Sequence, residues 1–242
     1  MRTLLSAISF LTIIPIPRTS VKPGRAAILF PLVGAMLGAA GAALYLGAGT
    51  FLPSSIASLI VVTFWTAITG VLHEDGLADV ADAMRAGRTQ EKMLAILKDS
   101  RIGTFGAMAI VLSVIARWQA VEHLATARLF EVMIAAQAVP RTAIVALAWV
   151  SRPVGTGLGL AFASTLTTTT AVVAIAQGVA AALACGIRPG VTIVLGAYLV
   201  IRGAQLYFYR RIGGVNGDCL GATEQILEIV ILVLFTCRNC SW

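Results

Sequence analysis

The sequence predicts an all-α fold: a polytopic integral membrane bundle of about seven transmembrane helices (six to eight), with its N-terminus in the cytoplasm. Three observations carry this prediction. Of 242 residues, 58% are hydrophobic and 12% charged, with a mean hydropathy of +0.90, outside the range of a soluble globular domain. Apolar stretches recur that can cross a hydrocarbon core of roughly 30 Å, which takes about 20 helical residues. They have to be helical, because backbone polar groups find no other partner in lipid and the alternating strands of a barrel are missing. The third observation is the distribution of basic residues. With the N-terminus inside, twelve lie on the cytoplasmic side and only Arg128, Arg188 and Arg238 on the other, a strong positive-inside bias.

Taken in order, Met1 to Pro17 is too short and too early to span. It lacks a small-residue cleavage site and reads as a retained interfacial or re-entrant segment. Spans are expected at Ala27 to Ala48, Ser54 to Leu72, Gly103 to Val121, Phe130 to Val150, Thr167 to Ile187, Val191 to Tyr209 and, shorter, Ile226 to Phe235. The whole chain, 1–242, then forms one domain. Gly34 and Gly38 make a GxxxG pattern that serves either packing within the chain or a homo-oligomer seam. The net charge of +7 follows from topology and does not call for a nucleic-acid partner. Cys237 and Cys240 form a CxxC with no second pair or histidine cluster, so they read as apolar fillers rather than a zinc or redox site.

Between the second and third spans lies the one long polar island, Val71 to Gly106, which holds four of the five aspartates; the fifth, Asp218, sits in a second Gly-rich polar segment. Asp75, Asp79 and Asp82 fall at i, i+4 and i+7, on one face of a helix continuing out of the second span. Three like charges on a stripe are unfavourable, and a hard divalent cation is the natural compensation. Asp75 and Asp82 are about 10 Å apart along the axis, so one ion cannot easily hold all three. Either two ions bind or one aspartate is left as a base. Gly76 would let a bulky ligand approach the backbone, and His73 is a candidate proton acceptor.

The island ends in LKDSRIGTFG. Lys98, Ser100, Arg101 and Gly103 cluster before the third span, where exposed amides and cations suit an anion. Carboxylates facing such a turn are the equipment of metal-assisted phosphoryl transfer. Arg141 falls inside a span and needs a partner, either an aspartate or a substrate phosphate. Arg117 and Arg202 lie near enough to an interface to snorkel.

The strings HEDGLADVADAM, KDSRIGTFG and GGVNGDCLGATEQILE, with FLTIIPIPR and FPLVGAMLG near the start, together resemble the cobalamin (5′-phosphate) synthases, or adenosylcobinamide-GDP ribazoletransferases, from end to end. The resemblance implies a Mg²⁺-dependent membrane enzyme of the last steps of cobalamin assembly. It would join adenosylcobinamide-GDP to α-ribazole or its 5′-phosphate and release GMP, at the cytoplasmic face of the inner membrane. On this analogy Asp75, Asp79, Asp82 and Asp218 are metal ligands, with Asp82 or His73 taking the hydroxyl proton. Lys98, Ser100, Arg101, Gly103, Arg141, Arg210, Arg211 and Gly217 would hold phosphates. Three positions depart from the pattern: Glu74 where an apolar residue is expected, Ala83 in place of glycine, and Gln225 in place of an acid.

Two alternatives use similar residues. The CDP-alcohol phosphotransferases also cluster aspartates around Mg²⁺, but their alanine-arginine pair and later Gly-x₃-Asp-x₃-Asp are absent here. A cation-coupled transporter would place acids near the bilayer centre, whereas every aspartate here lies in a loop or at a helix end.

Overall fold

The computed structural model describes residues 1–17, 20–99, 101–155, 157–237 and 240, and the described residues are helical with no strand among them. In chain order the helices are α1 (Arg2–Leu11), α2 (Pro23–Ala26), α3 (Phe30–Gly49), α4 (Ser54–Ile68), α5 (Leu72–Ala86), α6 (Gln90–Ile96), α7 (Thr104–Glu122), α8 (Leu129–Val150), α9 (Leu158–Ala163), α10 (Thr168–Leu183), α11 (Ile187–Ile212) and α12 (Gly217–Leu234). Among the described residues four helical stretches are long and apolar enough to cross a membrane: Pro23–Gly49, Thr104–Glu122, Thr126–Val150 and Ile187–Ile212. A fifth is reached if α4 and α5 count as one broken span.

Three of the seven expected spans therefore differ. The second does not continue into the aspartate helix, because α5 leaves the α4 axis at 85°. Gly70 (φ 63°) and Val71 (φ 64°) turn the chain through the left-handed region, which is strained for a β-branched residue. The fifth is the 16-residue α10, about 24 Å long at 1.5 Å per residue. The seventh starts much earlier than expected, at Gly217, and buries Glu224, Gln225 and Glu228; α12 is a core helix of the bundle.

The bundle is built on α8. Small residues let α3 lie directly against it: a Cβ at Gly34 would stand 2.3 Å from the Gln137 carbonyl oxygen, and one at Gly38 2.3 Å from that of Met133. The GxxxG seam is thus used inside the chain. Large apolar side chains project outward from α7 (Met108, Leu112, Ile115) and α11 (Leu195, Leu199, Leu206), as expected of lipid-facing helices. Cys237 and Cys240 form a disulfide rather than serving as separate fillers.

One end of the bundle gathers the polar segments. The α1 helix is tied there by the Ile13 N–H, which donates to the Ile68 carbonyl at 2.9 Å. The Arg211 guanidinium donates to the Met84 and Gly87 carbonyls at the C-terminus of α5, where a cation suits the helix dipole. The loop before α12 pairs with the loop after α8 through Val154 N–H to Val215 O and Val215 N–H to Arg152 O, both 3.0 Å.

Candidate active site

The α5 and α12 helices pack on each other through Gly76, which lies against the backbone of Asp218, and Gly221, which lies against His73. The space beside Gly76 that a ligand might have used is filled by protein. Its effect is to bring Asp75 and Asp218, from opposite halves of the sequence, onto one cavity of about 270 Å³. Asn216 caps α12, accepting from the Cys219 N–H at 3.0 Å, and its side-chain amide donates to Asp218 Oδ2 at 2.7 Å. Gly217 lines the same cavity.

Electrostatics ties Asp79 to this group. Burial, then Asp75, Asp218 and Asp82 in that order, raise the Asp79 carboxyl to about 7. Asp218 is also raised, by burial and by Asp75, against the opposing hydrogen bond from Asn216. Among the described residues no three Asp, Glu, His or Cys side chains are already gathered into a ligand set. Clustered carboxylate oxygens, whose burial and mutual repulsion raise Asp79, nonetheless fit a hard divalent ion such as Mg²⁺.

Asp82 stands apart from the other two. It is buried, and its carboxylate accepts from the Gly103 N–H at 2.7 Å and the Gly106 N–H at 2.9 Å. It therefore satisfies the first amides of α7. The anion site expected at Gly103 exists, and its anion is an internal carboxylate. Lys98 and Arg101 remain exposed beside it, with Arg101 paired to Asp99 at 2.7 Å. Ser100 lies outside the described residues.

A buried ionic layer lies beneath. Arg117 pairs with Glu74 at 2.9 Å and Glu228 at 3.6 Å, and Arg141 with Glu224 at 2.9 Å. Arg141 also donates to the carbonyl and side-chain oxygens of Gln137, both at 2.8 Å. These charged side chains are at most 2% exposed. Arg141 thus has a protein partner in place of a phosphate, and Arg117 is locked in the core and does not snorkel. Two of the unusual positions find their reasons here. Glu74 is the partner of Arg117, and Gln225 accepts from Ser113 at 3.0 Å while donating to Glu224 at 3.2 Å.

His73 sits between the layer and the cavity, 4% exposed, with no hydrogen-bond partner at Nε2. Burial first, then the nearby Arg141, push its pKa down to about 3, so the imidazole is neutral. Arg211 is spent on the end of α5, while Arg210 is exposed on the last turn of α11. Composition and spacing did not single out Phe10 of α1 and Phe162 of α9, which wall the cavity. They also missed the α12 glutamates, although Glu224 and Glu228 at i, i+4 in an apolar run were a usable signal.

The sequence model of a family described as cobalamin-5-phosphate synthase matches residues 3–236. A protein of Ralstonia pickettii named adenosylcobinamide-GDP ribazoletransferase is 36% identical over 239 residues, covering 96% of this chain and 93% of its own. Proteins of the same name from Rhizobium johnstonii and Shewanella halifaxensis are 37% and 33% identical, covering 93% and 98% of this chain and 93% and 95% of theirs. No solved structure matches the chain.

Proposed function

The chain belongs to the cobalamin-5-phosphate synthase family of enzymes, and we propose that it joins adenosylcobinamide-GDP to α-ribazole or α-ribazole 5′-phosphate, with Mg²⁺, and releases GMP. In this reaction a ribose hydroxyl oxygen attacks the phosphorus next to the corrinoid's aminopropanol arm. A new O–P bond forms, the P–O bond to GMP breaks, and the hydroxyl proton passes to a base or water. The chemistry needs positioning and charge neutralisation more than a covalent nucleophile.

The observation that carries the reading is the meeting of Asp75 and Asp218 on one cavity, with Asp79 coupled to both. These three carboxylates would hold Mg²⁺, which when bound neutralises the diphosphate. Of the phosphate-binding candidates, Lys98 and Arg210 are exposed, and so is Arg101, which would exchange its Asp99 partner for a phosphate group. Of the two candidate proton acceptors, Asp82 is engaged by two amides and His73 has a free nitrogen. The hydroxyl hydrogen bond therefore falls to His73, whose low pKa suits an orienting acceptor rather than a lasting proton store.

On the basic-residue asymmetry we read this end of the bundle as facing the cytoplasm at the inner membrane. The test is incubation of purified, vesicle-reconstituted protein with adenosylcobinamide-GDP, α-ribazole 5′-phosphate and Mg²⁺. Stoichiometric GMP release with corrinoid product is expected, and ion flux without GMP would overturn the reading.

A further inference from the structure

The cavity beside Asp75 and Asp218 combines two kinds of lining: polar side chains, those carboxylates with Asn216 and His73, and aromatic ones, Phe10 and Phe162. Phe162 stacks on Phe30 with ring centroids 5.7 Å apart, and Phe10 lies 5.2 Å from Phe30 and 5.9 Å from Phe162. Phe30 and Phe162 are buried in this stack while Phe10 stays half-buried, so the stack holds Phe10 in place as an aromatic contact for a flat ligand.

His73 lines the same cavity, and its buried Nε2 has no protein partner. A buried polar atom left unsatisfied is costly, and the cost is removed when a ligand supplies the missing group. The cavity volume of about 270 Å³ lies at the lower end of ligand pockets. It is commensurate with a nucleoside and far too small for a corrin macrocycle.

Resting on the function proposed above, we infer that this cavity is the acceptor subsite. It takes the ribazole nucleoside with its planar base against Phe10 and Phe162 and a ribose hydroxyl hydrogen-bonded to His73 Nε2. The sugar then lies beside Asp75 and Asp218, where the diphosphate has to arrive, while the corrin ring stays outside. The N-terminal helix is on this reading part of the substrate site rather than only an interfacial anchor.

The test is direct binding of α-ribazole, without corrinoid, to the full-length protein in vesicles, together with separate KM values for the two substrates. Phe10→Leu and His73→Ala are expected to weaken ribazole binding and raise its KM about tenfold, with the KM for adenosylcobinamide-GDP within twofold of wild type. Phe10→Tyr, which keeps the ring, should restore binding and so separates lost stacking from misfolding. Unchanged ribazole Kd and KM in Phe10→Leu and His73→Ala, or a rise confined to the corrinoid substrate, would overturn the inference while leaving GMP release by the wild type intact. Conversely, ribazole binding that is lost in Phe10→Leu, in a wild type that releases no GMP, would overturn the assigned reaction and leave the subsite standing.

Discussion

Gly76 lies so close to Asp218 that a Cβ placed on it would stand 2.9 Å from the Asp218 carbonyl oxygen and 3.1 Å from its Cα. This contact fixes the distance between the two helices that carry the candidate ligands. Gly76→Ala should therefore push α5 and α12 apart. The expected outcome is a stability loss of about 1–3 kcal/mol from overpacking and a larger fall in GMP release than stability alone explains. Thermal unfolding and initial rates on the same preparation check both.

Asp79→Asn keeps the shape and removes the charge most coupled to its neighbours. We expect kcat/KM to fall about a hundredfold, roughly 2.7 kcal/mol of transition-state stabilisation, with a rightward shift in the Mg²⁺ dependence. Near-normal turnover at limiting Mg²⁺ would contradict the assignment.

The same residue predicts a pH effect. Its folded-state pKa of about 7 is raised above the ordinary carboxylate value, so its protonated form favours the folded state. That stabilisation is complete below the ordinary carboxylate range of about 4 and is lost as pH rises through about 7. Metal-free protein should melt at a lower temperature at pH 8 than at pH 6. Bound Mg²⁺ competes with the proton, so it should flatten the dependence and itself bind more weakly as pH falls. Asp79→Asn should remove both trends in unfolding scans.

Asp82 behaves as a cap in the structure, and its substitution should separate it from Asp79. Asp82→Ala leaves the Gly103 and Gly106 amides without their acceptor, for an expected stability loss of about 1–2 kcal/mol. Asp82→Asn keeps one acceptor oxygen and should recover part of it. Neither change should shift the Mg²⁺ midpoint as far as Asp79→Asn does.

Arg141 and Glu224 form a buried pair, so removing one partner strands the other charge. Arg141→Met and Glu224→Gln should each cost about 3–5 kcal/mol, seen as reduced folded yield in detergent. Arg141→Met combined with Glu224→Leu should recover much of the loss. If Arg141 instead held a substrate phosphate, Arg141→Met would raise the corrinoid KM at normal stability.

The chain's apolar runs and basic-residue asymmetry were enough to read a helical membrane bundle, because hydrophobicity and helix periodicity are local properties. The i, i+4, i+7 spacing likewise put Asp75, Asp79 and Asp82 on one helix. Which charge meets which is not local. It depends on helices that approach closely at glycine and on the penalty for leaving any buried charge unpaired. The tertiary structure therefore decided that Asp82 turns to the α7 amides, that Arg141 meets Glu224 and Arg117 meets Glu74, and that α5 breaks from α4 at Gly70 and Val71. It also decided that Phe10 from the first helix and Asp218 from the last line one cavity, a meeting that only packing across the whole chain could make.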